Sequence, residues 1–149
     1  MRTMKTDQFE IECHMGSLFG SLTVPSLNPP SLVAASNRWL NISSAIDEWF
    51  LRRLPVHLLD QRAWSYSCRR GRAMRWLEHG GAELCELVMR PLYRAVTAHD
   101  LLELSTFWFQ PGQFSIDIGA CADSTAQCQE IMAIVFDAFD ETLGVIAGA

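Results

Sequence analysis

The side chains in this sequence with the most specific chemistry are five cysteines, Cys13, Cys68, Cys85, Cys121 and Cys128, and four histidines, His14, His57, His79 and His99. Such a set can bind a transition metal or pair a thiolate with an imidazole. The spacing does not favour a metal. There is no C-x-x-C or H-E-x-x-H; Cys121 and Cys128 are seven apart, and the adjacent Cys13 and His14 point to opposite faces of any strand that carries them. Cys121 is the best candidate nucleophile, since it falls between a predicted strand end and a predicted helix N-terminus, where a thiolate is favoured. No motif selects a histidine as its base. Gly119-Ala-Cys-Ala-Asp123 has one glycine and no lysine, and its aspartate would repel an anion, so it is no phosphate loop. Buried, reduced cysteines are the simpler expectation, and no cofactor is implied.

Charge is the second chemical signal. The net charge is -5, but all twelve Lys and Arg lie between Arg2 and Arg94, eleven of them Arg. Residues 95–149 carry eight acids and no base, so the end of the chain stands at -8, while residues 1–94 carry 12 minus 9, or +3. Arg69, Arg70, Arg72 and Arg75 lie among Trp64, Tyr66 and Trp76, a mixture that could hold phosphates and stack bases. The overall pI near 5.3 and repulsion from the C-terminal acids oppose nucleic acid; pairing of the basic segment with the acidic end is simpler. Asp137, Asp140 and Glu141 sit near a predicted helix C-terminus, where they oppose the helix dipole and no Lys or Arg follows. They form either a solubilising face or a surface for a basic partner.

The third signal is Trp108, within FWFQPGQFSIDIG. If the chain turns about Pro111-Gly112 and pairs Gln110 with Gln113, then Phe109 faces Phe114, Phe107 faces Ile116 and Ser105 faces Ile118. Trp108 then falls on the opposite face with Thr106, Ser115 and Asp117. Leaving an indole in water forgoes about 2 to 3 kcal/mol of burial, so either another part of the chain or a partner should cover it.

The elements that position these residues follow from hydrophobic periodicity. Phe9, Ile11, Cys13 and Met15 alternate with polar residues as in a strand; Gly16 and Gly20 bracket a turn, and a short strand follows over Leu22 to Val24. Asn28-Pro29-Pro30 reads as a helix start, with apolar residues from Leu32 to Phe50 at spacings of three and four and a stop before Pro55, giving a helix near residues 29–54. Residues 64–68 alternate as a strand. A short helix stops at Gly80, and another starts at Ala82, with Pro91 kinking or restarting it. The end is clearest: two strands about Pro111-Gly112, then a helix over residues 124–146 capped by Ser124 and Gln127.

The expected architecture is therefore a single α+β domain over residues 1–149, an antiparallel sheet packed against two longer amphipathic helices, ending in a hairpin followed by a helix. No run of about 20 apolar residues is present to span a membrane, and the start of the chain lacks the apolar stretch of a signal peptide, which points to the cytoplasm. In size and charge, though in no motif, the chain resembles bacterial immunity proteins and antitoxins. The resemblance implies a non-enzymatic inhibitor of a basic, nuclease-type toxin, with Trp108, Asp117, Asp137, Asp140 and Glu141 at the contact. Two alternatives stand beside it. One is a dimeric escort chaperone for a secreted effector, with Trp39 and Trp49 on the homodimer surface; the other is a small thiol enzyme or ligand-binding domain using Cys121.

Overall fold

The computed structural model describes residues 2–36, 52–53, 57–59, 62–68 and 72–148. Among the described residues there are nine strands: β1 (Arg2–Lys5), β2 (Phe9–His14), β3 (Ser17–Thr23), β4 (Leu32–Ser36), β5 (Arg52–Arg53), β6 (His57–Leu59), β7 (Arg62–Cys68), β8 (Ser105–Gln110) and β9 (Gln113–Ile118). They make one antiparallel sheet in the order β1-β2-β3-β9-β8-β4-β7-β5, with β6 also paired to β7. A short helix α1 (Arg72–Trp76) passes through a wide turn, Leu77–Gly81, into α2 (Ala82–Ala98), and the chain ends in α3 (Thr125–Gly148). This is an α+β fold with two longer helices against an antiparallel sheet.

The sequence dictates which side of the sheet is dry. On β2 Phe9, Ile11 and Cys13 are buried, on β3 Leu18 and Leu22, on β8 Phe107 and Phe109, and on β9 Phe114, Ile116 and Ile118. The period of two places all of these on one face. Against them α3 lays Cys128, Ile131, Met132, Val135 and Phe139, the three-and-four spacing expected for its stripe, and α2 adds Val88, Met89, Leu92 and Tyr93 to the same cluster. Phe139 is central: its ring lies 5.4 Å from Phe9 and 6.5 Å from Phe114, and Gly20 leaves room for it, since a Cβ there would come within 2.9 Å of Phe139. Between the helices, the Thr142 hydroxyl donates to the Val88 carbonyl at 3.4 Å.

The final hairpin has the expected register, Phe109 with Phe114, Phe107 with Ile116 and Ser105 with Ile118. Its turn is Pro111-Gly112 with Gly112 at φ +75°, the combination of a type II turn. Such a turn splays a tight hairpin. Here residues 24–27 clip its tip, with Val24 N–H donating to Gly112 O at 2.8 Å and Gly112 N–H to Leu27 O at 2.6 Å. The start of α3 is capped as anticipated. Gln127 N–H donates to Ser124 Oγ at 3.2 Å, while Asp123 N–H donates to Gln127 Oε1 at 2.7 Å.

Four expectations are corrected. Leu32–Ser36 is a strand between β8 and β7 rather than part of a helix near residues 29–54. Asn28 and Pro29 each precede a proline, which drives both toward extended geometry, and Leu32 and Ala34 then alternate inward. The rest of that segment, including Trp39 and Trp49, lies outside the described residues, and the second long helix is α2. Strand β3 covers all of Ser17–Thr23, with the turn only at Met15-Gly16 (φ +51° and +81°). Helix α2 runs unbroken through Pro91, which is buried in it between Met89 and Leu92. Packing on both sides holds the helix together across the missing N–H. Finally, Cys13 and Cys128 are joined in a disulfide, with Cα atoms 6.3 Å apart, rather than being reduced. Cys13 points to the dry face of β2, where the first turns of α3 pass over it.

Candidate functional site

The five residues singled out from the sequence fall on two separate surfaces. Trp108 and Asp117 lie on the sheet face opposite the helices. Asp137, Asp140 and Glu141 are exposed on the outer side of α3, whose inner side packs on the other sheet face. The structure therefore does not gather them into one patch. Asp123 and Glu130 are likewise exposed on or beside α3, so its outer side is acidic along most of its length.

The outer sheet face is built by strand register. One cross-strand row reads Thr3, Glu12, Phe19, Asp117, Thr106; the next reads Lys5, Glu10, Ser21, Ser115, Trp108, Val33. Directly opposite residues have Cβ atoms about 5 Å apart and diagonal ones about 7 Å. Phe19 thus stands between the carboxylates of Glu12 and Asp117, and Trp108 is diagonal to Asp117. Phe19 is 45% exposed and Trp108 41%. Two large aromatics standing this far into water on a single face are unusual, because each forgoes burial that the core would supply.

Beneath them the face is hydroxyl-rich and tight. Thr106 and Ser115 are buried, Ser115 Oγ donates to Ser21 Oγ at 3.4 Å, and the Gln113 side-chain amide donates to the same Ser21 oxygen. These bonds tie β9 to β3 and fix the floor on which the aromatics stand. Partial burial pushes the Asp117 carboxyl above its ordinary value.

Phe19, Glu12 and Glu10 were missed from the sequence. The signal was present: Ser17, Phe19, Ser21 and Thr23 alternate with Leu18, Gly20 and Leu22, so a strand beginning at Ser17 puts Phe19 outward. A glycine in the middle of that stretch hid it.

The thiol candidate fares less well. Burial raises Cys121 above its ordinary value and outweighs two backbone hydrogen bonds that lower it, with a smaller upward push from the Asp117 charge, so at neutral pH the side chain is a thiol. The deeply buried Cys85 is raised further by desolvation and by Glu86. Among the described residues no group of three or more His, Cys, Asp or Glu is placed to hold a metal ion. A cavity of about 580 Å³ opens beside the Cys13–Cys128 disulfide, lined also by Arg2, Met15, Asp123 and Thr125. Of the basic segment, Arg72 and Arg75 are exposed on and around α1, and Arg69 and Arg70 lie outside the described residues. Among the described residues no helix is long and apolar enough to cross a membrane. No protein-family model, curated protein or solved structure matches the chain.

Proposed function

We propose that the protein is a non-enzymatic binding domain of the immunity or antitoxin type, which neutralises a basic, nuclease-type toxin by docking it on the outer sheet face. The observation that carries this reading is the pair of exposed aromatics, Phe19 and Trp108, set around Asp117 on a hydroxyl-lined floor. Aromatic anchors in a polar frame are the composition of interface hot spots. A rigid sheet held by side-chain bonds from β9 to β3 presents them with little ordering cost on association.

Asp117 contacts the partner beside Trp108. Asp137, Asp140 and Glu141, on the far side, act at long range by attracting a basic protein. On this reading the setting is the cytoplasm.

The test is capture of host proteins on the tagged full-length chain. A basic protein retained at low salt, reduced in recovery at high salt and lost with Trp108→Ala is the expected result. Capture indifferent to both salt and Trp108 overturns the reading. On the recovered partner, reversing Asp137, Asp140 and Glu141 to Lys slows association at low salt and leaves dissociation unchanged.

A further inference from the structure

Resting on that protein-binding reading, we propose that Glu12, Phe19, Asp117 and Trp108 form a cation-reading site on the outer sheet face that receives an arginine side chain of the partner.

Glu10, on the same face of β2, lies opposite Lys5 of β1 and has a cation at hand. Glu12 lies opposite Thr3 on one side and Phe19 on the other; Asp117 lies opposite Phe19 and Thr106. Neither has a cation directly opposite it. The next outward residue along β2 is the exposed His14, and along β9 it is Ser115; Lys5 is diagonal to Glu12, whereas Asp117 has no cation opposite or diagonal to it.

Phe19 stands between them with its ring in solvent. The strands carrying Glu12 and Asp117 are two spacings apart, roughly 10 Å, so the register sets one acid on each side of Phe19. A cation over the ring is therefore attracted by the aromatic face below and by a carboxylate on either flank. Trp108, diagonal to Asp117, supplies a second aromatic surface on the far flank of that acid.

The occupant follows from shape and charge. Guanidinium is planar, stacks on an aromatic ring while its edge donors face outward, and offers a fork to a carboxylate; an ammonium is a compact, strongly hydrated point charge that uses one flank at a time. Two carboxylates at opposite edges of one ring favour the planar cation. The upward displacement of the Asp117 pKa agrees with this, because it marks a carboxylate partly withdrawn from solvent.

The experiment is a titration of the full-length, isotope-labelled protein with N-acetyl-arginine amide. The lysine analogue and the neutral isostere N-acetyl-citrulline amide serve as controls, with the indole N–H of Trp108 and the amides of Phe19 and Asp117 followed by NMR. The expected result is saturable shifts at all three with the arginine probe, at least about tenfold weaker binding of citrulline, and about tenfold loss with either Glu12→Gln or Asp117→Asn, both variants keeping a native spectrum. Non-saturating shifts, or equal response to arginine and citrulline, overturn the site. Stronger binding of lysine than arginine overturns the choice of occupant. Should the arginine probe fail while Trp108→Ala still abolishes partner capture, this site falls and the protein-binding reading stands; a bound arginine probe with no partner captured gives the reverse.

Discussion

Trp108→Ala and Phe107→Ala remove adjacent aromatics from one strand and should have different consequences. Phe107 is 0% exposed, and truncating a fully buried aromatic costs about 3–5 kcal/mol, partly through the cavity it leaves. Trp108 keeps 41% of its surface in solvent and stands where water fills the space it vacates. Scaling the same figure by its buried share and dropping the cavity contribution leaves about 1–2 kcal/mol. Against a typical stability of about 5–15 kcal/mol, the Trp108 variant stays folded. Urea unfolding of both variants, read by far-UV circular dichroism with the slope checked against the parent, measures the pair. On the partner, Trp108→Ala should weaken binding by 2 kcal/mol or more, roughly thirtyfold. A stability loss for Trp108→Ala equal to that for Phe107→Ala would refute the assignment of the indole to the outer face and make it a core residue.

The Cys13–Cys128 bond closes a loop with a sequence separation of 115, for which the chain-entropy estimate is about 5 kcal/mol. Reduction, or Cys13→Ser with Cys128→Ser, should lower Tm by roughly 10–20 °C, and non-reducing peptide mapping should find this pair linked with Cys85 and Cys121 free; a melt unmoved by reductant counts against the bond. For Asp117, a folded-state pKa above 3.8 means that the native chain holds its proton where the unfolded chain has lost it, so stability falls as pH rises through the interval above 3.8. Asp117→Asn should flatten that slope and cost nothing at pH 7, and a marked loss at neutral pH would show that the carboxylate is instead stabilised there. Gly20→Ala pushes a methyl against the Phe139 ring and should cost about 1–3 kcal/mol, part of which Phe139→Leu restores in the double variant; simple additivity of the two losses would contradict the contact.

Legibility in the sequence tracks how local the deciding interaction is. From Ser105 onward, alternation, the Pro-Gly turn, the Ser124–Gln127 cap and the stripe from Cys128 to Phe139 all act over a few residues and agree, so register and helix were both readable. Residues 28–36 were not. Leu32 and Ala35 fit a helix and Leu32 and Ala34 fit a strand, and what decides is a slot between β8 and β7, partners some 30 to 75 residues away in the chain. The same holds for Gly20. Within its own strand it looks like a turn residue, and only Phe139, brought over it by α3, explains why the strand has no side chain there. Asp117 and Trp108 were found because their own hairpin sets their face, whereas Phe19 needed the pairing of β3 with both β2 and β9.

The separation of the two acidic surfaces bears on how they can cooperate. From the outer sheet face to the outer side of α3 the path crosses the sheet, the packed core layer and the width of a helix, roughly 20 Å. At physiological ionic strength the Debye length is about 8 Å, so the field of Asp137, Asp140 and Glu141 is largely spent before it reaches a protein docked over Phe19 and Trp108. At a tenth of that salt the screening length is roughly three times longer, and the helix acids then contribute to attraction over the whole molecule. Tight contact and long-range attraction are accordingly carried by different residues. On the proposed reading, the carboxylates that matter once the partner has arrived are Glu12 and Asp117, which stand beside the aromatics and lose water and counterions when the partner covers them. Under a docked partner a single charge is worth more than several on an open helix, because desolvation weakens the competing interactions with water. If the proposed basic partner binds, its selection then rests on the two acids beside the aromatics, and the larger number of acids on α3 sets how quickly it is found when salt is low.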